Sequence, residues 1–422
     1  MAELTTDVAI IGAGPAGLAL ARMLEIQGVD ALVLERSSRE HVRTRQRAGL
    51  IEAPTRDVLV EIGAGERLLA AGGAHRGFYL RHEGVTHHLD LAALVGRMPV
   101  HYPQTEIVSD LIDVREADGA PLRFDAEVVG IEGHDAAPGP ALAGRPVRLV
   151  ARGAHGTLRV AARCVAACDG FHGIGRRLLL SGLRGATIVG REYPFAWLGI
   201  LARTTPDPGE GMYCVSPRGM SLHSLRGPRV TRQYLQVPRD TDLADWPDER
   251  IWSELRLRSR SCDHAELEVG EIFERSLFPL RSAVVEPMQW GRLFLVGDAA
   301  HIVPPTGAKG LNLAVSDASA LAYSIASALR GGAGELSLYG ERASTRVWEA
   351  QLFSWSMTTL LHTFDDDPFS WRVKCAQLRT LIGSLDAQRA LGEIYVGTPF
   401  PVHWREGPVS GAPGAPRSLA GR

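Results

Sequence analysis

The segment from Asp7 to Glu35 restricts the fold more than any other part of the chain. An apolar run, Asp7-Val-Ala-Ile-Ile11, enters Gly12-Ala-Gly14-Pro15-Ala16-Gly17, continues through a helix-patterned Leu18 to Gln27, and returns as Val33-Leu34-Glu35. This is the βαβ arrangement that binds a dinucleotide. Gly12 permits the tight turn, Gly14 lets a pyrophosphate approach the backbone, Gly17 lets helix and strand pack closely, and Glu35 is placed for a ribose 2′-hydroxyl. Pro15 and Ala16 begin the helix whose amides face the phosphates. Strand, helix and terminal acid together argue against a merely glycine-rich turn. They leave the nucleotide open between FAD and a nicotinamide dinucleotide.

A second site-forming segment is GDAAHIVPPTGAKGLNLA, Gly297 to Ala314, which follows the strand-like Arg292-Leu-Phe-Leu-Val296 and leads into a helix. Asp298, at the strand's end, can accept from a ribityl or ribose hydroxyl. The backbone amides from Gly307 to Asn312, including Gly310 and Leu311, open a helix toward an electron-rich group. Of 46 basic side chains only Lys309 and Lys374 are lysines, so a chain that otherwise uses arginine has placed a compact ammonium in this turn. A third segment, Cys164-Val-Ala-Ala-Cys-Asp169-Gly170-Phe-His-Gly-Ile-Gly-Arg-Arg177, is again an apolar strand ending in an acid and glycines. Taken singly, Asp298 can simply cap a turn, Lys309 can be solvated, and the third segment can be an ordinary strand-to-loop junction.

In this order the three motifs resemble the flavin-dependent aromatic hydroxylases of the glutathione-reductase-like FAD fold, in which GxGxxG, DG and GD segments line the flavin. FAD becomes the better nucleotide. Over residues 7 to about 403 the chain is similar to the 4-hydroxybenzoate 3-monooxygenase (para-hydroxybenzoate hydroxylase) family. Arg47-Ala-Gly49, Gln104-Thr-Glu106, Cys168-Asp-Gly-Phe-His-Gly173, Tyr193-Pro-Phe195, Pro279-Leu-Arg281, Val285-Glu-Pro-Met288, the Gly297 to Ala314 run and Tyr395-Val-Gly397 carry the likeness. The resemblance implies a mixed α/β chain with a Rossmann-type FAD domain, an antiparallel substrate sheet and C-terminal helices. It implies hydroxylation of 4-hydroxybenzoate beside its phenol to 3,4-dihydroxybenzoate, with NADPH or NADH as electron donor, O2 as cosubstrate and a flavin C4a-hydroperoxide as oxidant.

The substrate is then a small aromatic carboxylic acid, and the residues follow from the match. Arg226, with Ser224 and Tyr234, holds the carboxylate, a role that suits a guanidinium beside a hydroxyl. Ser224 and Arg226 share strand parity. Tyr213 meets the phenolic oxygen, and Tyr395 and His75 are the outer members of a proton path toward solvent. Pro305 presents its carbonyl in the active-site turn, Asn312 lies near the isoalloxazine, and Lys309 supplies positive potential. Arg47, Gln104, Asp169, Gly170 and Gly297 join the flavin contacts. Arg232 governs flavin movement between an inner and an outer position. Arg36, Arg45, Arg47, His172 and Arg281 match contacts to the nicotinamide nucleotide, and no metal is implied.

Two departures from the family pattern bear on specificity. After Glu35 there are extra arginines at Arg39 and Arg43, and His41 stands where a tyrosine is common, so NADPH versus NADH stays open. Gly211-Met212 precedes Tyr213 where the family has a bulky aliphatic beside the ring. Glycine there can admit a ring substituent, which makes a 3-amino-4-hydroxybenzoate-like acid the alternative substrate; Met212 or a backbone shift can equally fill the gap. The contrasting classes are a flavin dehydrogenase or reductase and a non-catalytic FAD sensor, against which Tyr213, Arg226 and Tyr395 argue.

Composition adds exclusions. A net charge of −2 at pH 7 gives no field for nucleic acid or an anionic membrane. No apolar run has membrane-spanning length, no leader pattern precedes the first strand, and the five cysteines lack metal-ligand spacing, so a cytoplasmic enzyme with reduced thiols is expected. A homodimer is implied by family habit. Pattern changes divide the chain into an FAD unit over 1–184, a substrate sheet over 185–291 interrupted by a helix from Asp248 to Arg258, a GD-segment and helical region over 292–403, and a disordered tail over 404–422.

Overall fold

The computed structural model describes residues 3–45, 49–137, 142–153, 156–206, 209–263, 266–332 and 334–409. Arg47 lies outside the described residues, as do 410–422 of the expected tail. Among the described residues, five strands run parallel in the order Leu293–Leu295, Gly156–Ala167, Glu3–Ile11, Ala31–Leu34 and Leu122–Arg123. Val8 to Ile11 and all of Ala31–Leu34 are buried, which is why these strands read as continuous apolar runs and not as alternations. Helix Pro15–Ile26 follows the first strand and packs between helices Gln104–Ala117 and Gly310–Leu329. The alanines and serines of Gly310–Leu329 allow that close approach; it is buried along most of its length. Strand Gly156–Ala167 changes neighbours part-way. Its first half pairs antiparallel with Val147–Gly153, while Val165–Ala167 pairs parallel with Leu293–Leu295.

A second sheet runs in the order His301–Ile302, Ile272–Glu286, Thr187–Ala202, Val230–Pro238, Gly219–Gly227, Gly211–Ser216, Gly77–His82, Val85–Asp90. All its pairings are antiparallel except that of Gly211–Ser216 with Gly77–His82. Alternation sorts its side chains. One face packs Ala196, Leu198, Ile200, Leu235 and Val237 on helix Asp248–Arg258, which has the bounds expected from the sequence. The other packs Phe78, Trp197, Tyr213 and Leu222 against Phe353, Met357 and Tyr395 of the C-terminal helices.

Two expected boundaries do not follow the sheets. Gly77–His82 and Val85–Asp90 fall inside 1–184, yet they complete the second sheet; a strand's periodicity says that it pairs, and not with what. The tail begins later than 404. Val402–His403 pairs with Gly407–Pro408, and Trp404 is fully buried, its indole donating to Glu61 Oε2 at 2.9 Å. Burying one large aromatic outweighs the glycine- and proline-rich composition around it. Among the described residues no helix is long and apolar enough to cross a membrane, and all five cysteines are unpaired.

Candidate active site

The three glycine motifs meet at the C-terminal ends of adjacent parallel strands. Cys168 N donates to Ile11 O at 2.8 Å and Val296 N to Ala167 O at 3.0 Å, which aligns the ends of all three strands. Gly12 has a φ of +104°, and a Cβ there would overlap the Cys168 carbonyl; a Cβ on Gly17 would overlap the carbonyl of Gly12. Both glycines are required by the protein itself. Gly14 and Gly170 differ, since a Cβ on either would meet no protein atom within 4 Å. They border open space. Gly297, with φ +62°, lies so that a Cβ would come 3.3 Å from Ala16, which joins the GD turn to the first helix. Asp298 is exposed although Gly297, Ala299 and Ala300 around it are buried, and it makes no cap to the turn. A crevice with backbone amides, glycines without Cβ and an unshielded carboxylate fits the pyrophosphate and ribityl chain of FAD.

Two acids of these motifs also serve the protein. Glu35 Oε2 accepts from Ala13 N and Oε1 from Ser37 N, both at 2.8 Å, so the expected ribose acid braces the glycine turn. Asp169 Oδ2 accepts from Gly175 N at 3.0 Å and so holds the start of helix Ile174–Gly182. Burial raises the pKa of Asp169, against the lowering effect of that amide, and its Oδ1 has no partner. Asn312 is likewise anchored: its Nδ2 donates to the carbonyls of Leu50 and Ala308 at 3.1 Å, and its Oδ1 accepts from Glu52 N at 3.0 Å. Gly310 and Leu311 form the first turn of its helix, and Gln104 the first residue of another.

The substrate candidates lie on one face of the second sheet. Tyr213 pairs with Leu222, Leu222 with Tyr234, and Ser224 with Arg232, so these side chains share a face by alternation, and Arg226, at a bulge between Leu225 and Gly227, joins them through its hydrogen bond to Tyr234. Ser224 Oγ donates to Arg232 O at 3.0 Å. Arg226 is accessible, yet its surroundings desolvate it, and burial, with the like charge of Arg232, lowers its pKa against the hydrogen bond that its guanidinium donates to the Tyr234 hydroxyl. Arg232 is buried against the rings of Tyr234 and Phe278, at 5.4 and 5.6 Å.

Tyr213 and Tyr395 hydrogen-bond each other, and Tyr395 Oη lies 3.3 Å from His75 Nε2. Burial pushes Tyr213 up to about 12 and Tyr395 well above the ordinary tyrosine value, so neither ionises near neutrality. Both can pass protons as neutral hydroxyls. His75 is buried and does not itself reach solvent, contrary to its expected place at the outer end of the path. Its Nδ1 meets His101 Nε2 at 3.0 Å, and His101 is partly exposed. His101 was not singled out in the sequence, because only the pairing of Gly73–Ala74 with Val100–His101 brings it to His75. The turn differs in one detail as well. Tyr213 Oη donates to the Thr306 carbonyl at 3.4 Å, whereas the Pro305 carbonyl accepts from Ala308 N.

Lys309 is buried and donates to Glu52 Oε1 and Ile394 O, each at 2.5 Å, with Phe353 beneath it. Arg346 approaches the other oxygen of Glu52 at 3.2 Å. Burial lowers the pKa of Lys309, and Glu52 opposes this. The expected positive potential is thus shared: Lys309 and Arg346 enclose the Glu52 carboxylate, and Arg346 also lies 3.9 Å from Glu349. Nothing in the sequence ties Glu52 to a lysine so far along the chain.

The nicotinamide candidates separate. Arg281 and Arg176 both lie over the Phe171 ring, at 3.6 and 3.4 Å, beside the exposed His172, so His172 and Arg281 do come together. Arg36 and Arg45 are exposed beyond the second strand. The extra arginines have structural partners, Arg39 with Glu116 and Arg43 with Asp113 on helix Gln104–Ala117.

Comparison with known proteins agrees with this crevice. A family model described as an FAD binding domain matches residues 5–354. The p-hydroxybenzoate hydroxylase of Acinetobacter baylyi is 39% identical over 407 residues, covering 95% of this chain and 98% of its own. A p-nitrophenol 4-monooxygenase from Pseudomonas putida shares the fold with a TM-score of 0.78 at 21% identity, over 93% of this chain and 97% of that one. An anhydrotetracycline hydroxylase from Streptomyces rimosus does so with a TM-score of 0.74 at 24% identity, over 93% and 76%. The chain therefore belongs to the p-hydroxybenzoate hydroxylase family, FAD-dependent aromatic monooxygenases that draw electrons from NAD(P)H and oxygen from O2.

Proposed function

We propose that the enzyme hydroxylates 4-hydroxybenzoate ortho to its phenol, giving 3,4-dihydroxybenzoate. The observation that carries this reading is a carboxylate receptor and a phenol receptor on one face of the second sheet. Arg226 hydrogen-bonds Tyr234, whose cross-strand neighbour Leu222 pairs in turn with Tyr213, so a guanidinium and a phenol stand at two ends of one short stretch of sheet.

Bound FAD, once reduced, supplies an electrophilic oxygen atom. The chain's own residues prepare the ring to receive it. Arg226 binds the carboxylate in a fork, with Ser224 and Tyr234 beside it. The oxygen of Tyr213 accepts the phenolic proton while its own proton moves to Tyr395 and then to His75 Nε2, which raises electron density at the ortho carbon. The Lys309 ammonium, in the turn after Pro305, stabilises the phenolate at a distance, moderated by its pairing with Glu52. Arg232 and Phe278 close the inner side. A cytoplasmic location, with the five thiols reduced, belongs to the same proposal.

A second substrate has an observation of its own. Gly211 and Tyr213 share a face, and a Cβ on Gly211 would meet only the His223 carbonyl, at 4.0 Å. Met212 is buried on the opposite face by alternation, so it does not fill that space. A ring bearing an amino group beside its phenol fits the gap. The test is oxidation of NADPH and NADH with product identification, comparing 4-hydroxybenzoate with its 3-amino derivative. Stoichiometric 3,4-dihydroxybenzoate supports the first reading. Uncoupled oxidation with 4-hydroxybenzoate and clean oxygenation of the amino acid supports the second, and loss of that selectivity in Gly211→Leu would locate its cause.

A further inference from the structure

The tyrosine and histidine chain does not end at a surface, which leaves the fate of the substrate proton open. His75 is sealed: its ring stacks on Tyr395 at 5.8 Å between centroids, and His101 closes its other edge at 4.6 Å. His101 lies on Val100–His101, the middle strand of a three-stranded sheet with Leu50–Ile51 and Gly73–Ala74, and it is the first partly exposed member of the chain. We infer that His101 is the terminal member of the proton path, taking the substrate's phenolic proton from His75 and releasing it to solvent, so that two imidazoles act in series. The inference rests on the phenol reading above.

The direction of the chain follows from its far end. The backbone of Gly49 offers His101 a hydrogen bond that favours the protonated ring, as a carbonyl does. A carbonyl can only accept, so the neutral His101 keeps its N–H there and presents a bare Nε2 to His75. His75 then donates from Nδ1 and accepts at Nε2 from Tyr395, Tyr395 accepts from Tyr213 once that hydroxyl turns from its long, 3.4 Å contact with the Thr306 carbonyl, and Tyr213 accepts from the substrate. Every hydrogen bond is polarised outward. One proton enters as the phenolic O–H breaks, each member gives up its own proton as it receives another, and His101 ends as an imidazolium with both nitrogens protonated. Solvent at its exposed edge takes that proton, and each ring returns to its starting tautomer when the hydrogens shift back.

Substrate binding reinforces this direction. Burial and then the like charge of Arg226 hold His101 down to about 4, while burial followed by His101 and His88 holds His75 down to about 3. His88 itself bonds Glu210 at 2.7 Å. A carboxylate on Arg226 cancels the charge that His101 feels, so the bound acid makes the end of the path a better acceptor for its own proton.

The test uses the FAD holoenzyme, its His101→Val variant, which keeps a strand-favouring residue, and His101→Gln, which keeps an acceptor but carries no proton. Flavin absorbance on titration with 4-hydroxybenzoate gives the Kd, and stopped-flow absorbance of the phenolate after an upward pH jump gives the rate of deprotonation. We expect the Kd to change by less than about twofold and the deprotonation rate to fall on the order of tenfold or more in both variants, with added imidazole restoring it in His101→Val. Deprotonation at the wild-type rate in both variants would overturn the inference and leave the substrate reading standing. A wild-type holoenzyme that binds the acid without ever forming phenolate would remove both.

Discussion

The crevice at the parallel sheet and the substrate face of the antiparallel sheet are built from different material. The crevice is backbone: glycines at 12, 14, 17, 170 and 297, strand ends and a helix start, with acids that brace the turns as much as they face a ligand. The substrate face is side chains: Arg226, Tyr213, Tyr234, Tyr395, His75 and His101, delivered by six separate segments. A backbone site tolerates change outside its contacts and fails abruptly at them. A side-chain site degrades function by function, because each group holds one part of the substrate or one proton.

The largest effect should come from Gly17→Ala. Its Cβ would overlap a carbonyl that cannot move without the strand, so the purified protein should lose bound flavin and about 1–3 kcal/mol or more of stability. Gly14→Ala sharpens the point, because its Cβ meets no protein atom: the apoprotein should unfold within about 0.5 kcal/mol of wild type while FAD affinity falls. Equal destabilisation by the two substitutions would contradict the distinction between a glycine that the fold needs and one that the ligand needs.

Acidification should act on the other region. His75, His223 and His362 are buried and neutral, held by burial at about 3, 4 and 3. The unfolded chain takes up these protons first, near 6.5. Stability therefore falls as pH drops below that value, by up to about 1.4 kcal/mol per pH unit for each histidine, until the folded value is reached. His301 has the opposite sign, since Asp317, 2.6 Å away, raises its pKa against burial. Its contribution is complete below the unfolded value and is lost as pH rises through the folded one. Denaturant titrations at pH 7 and pH 5 should show a net loss, and hydrogen exchange should show the antiparallel sheet loosening before the parallel one. Uniform loosening would break the comparison.

Arg226→Lys should raise the Kd for 4-hydroxybenzoate by one to two orders of magnitude, about 1.4–2.7 kcal/mol, as a forked contact becomes a point charge. Flavin content should not change, and an unchanged Kd would move the carboxylate elsewhere. The smallest effects belong to Arg39→Ala and Arg43→Ala. Their exposed ion pairs with Glu116 and Asp113 are each worth under about 1 kcal/mol, and the ratio of NADPH to NADH use should stay as it was. Arg36→Ala, at an exposed candidate contact of the nicotinamide nucleotide, is the contrasting control for that ratio.

The difference in material also explains what could be read early. The βαβ segment, the GD turn and the DG turn are contiguous in sequence, and glycine spacing states a backbone requirement directly. The same holds for helix Asp248–Arg258 and for the alternation that puts Leu222 and Ser224 on one face. The roles of Tyr213, Tyr395 and His75 came from family likeness and not from their own surroundings. His101 and Glu52 were missed, because neither carries a local signature. Each acquires its function from a partner brought to it by the fold, Glu52 from Lys309 and Arg346, His101 from His75.

By itself, then, the sequence determined local geometry: where the chain turns, which strands are buried on both sides, where a helix begins facing a nucleotide, and that Gly211 leaves a place beside Tyr213 without a side chain. Tertiary structure decided the rest. It placed Gly77–His82 in the second sheet, buried Trp404, gave Lys309 a carboxylate, turned Met212 away from the gap and brought His101 to His75. The physical reason is range. Backbone torsion and side-chain periodicity are set within a few residues, whereas a hydrogen bond between His75 and His101, or an ion pair between Glu52 and Lys309, exists only after distant segments have packed and excluded water between them.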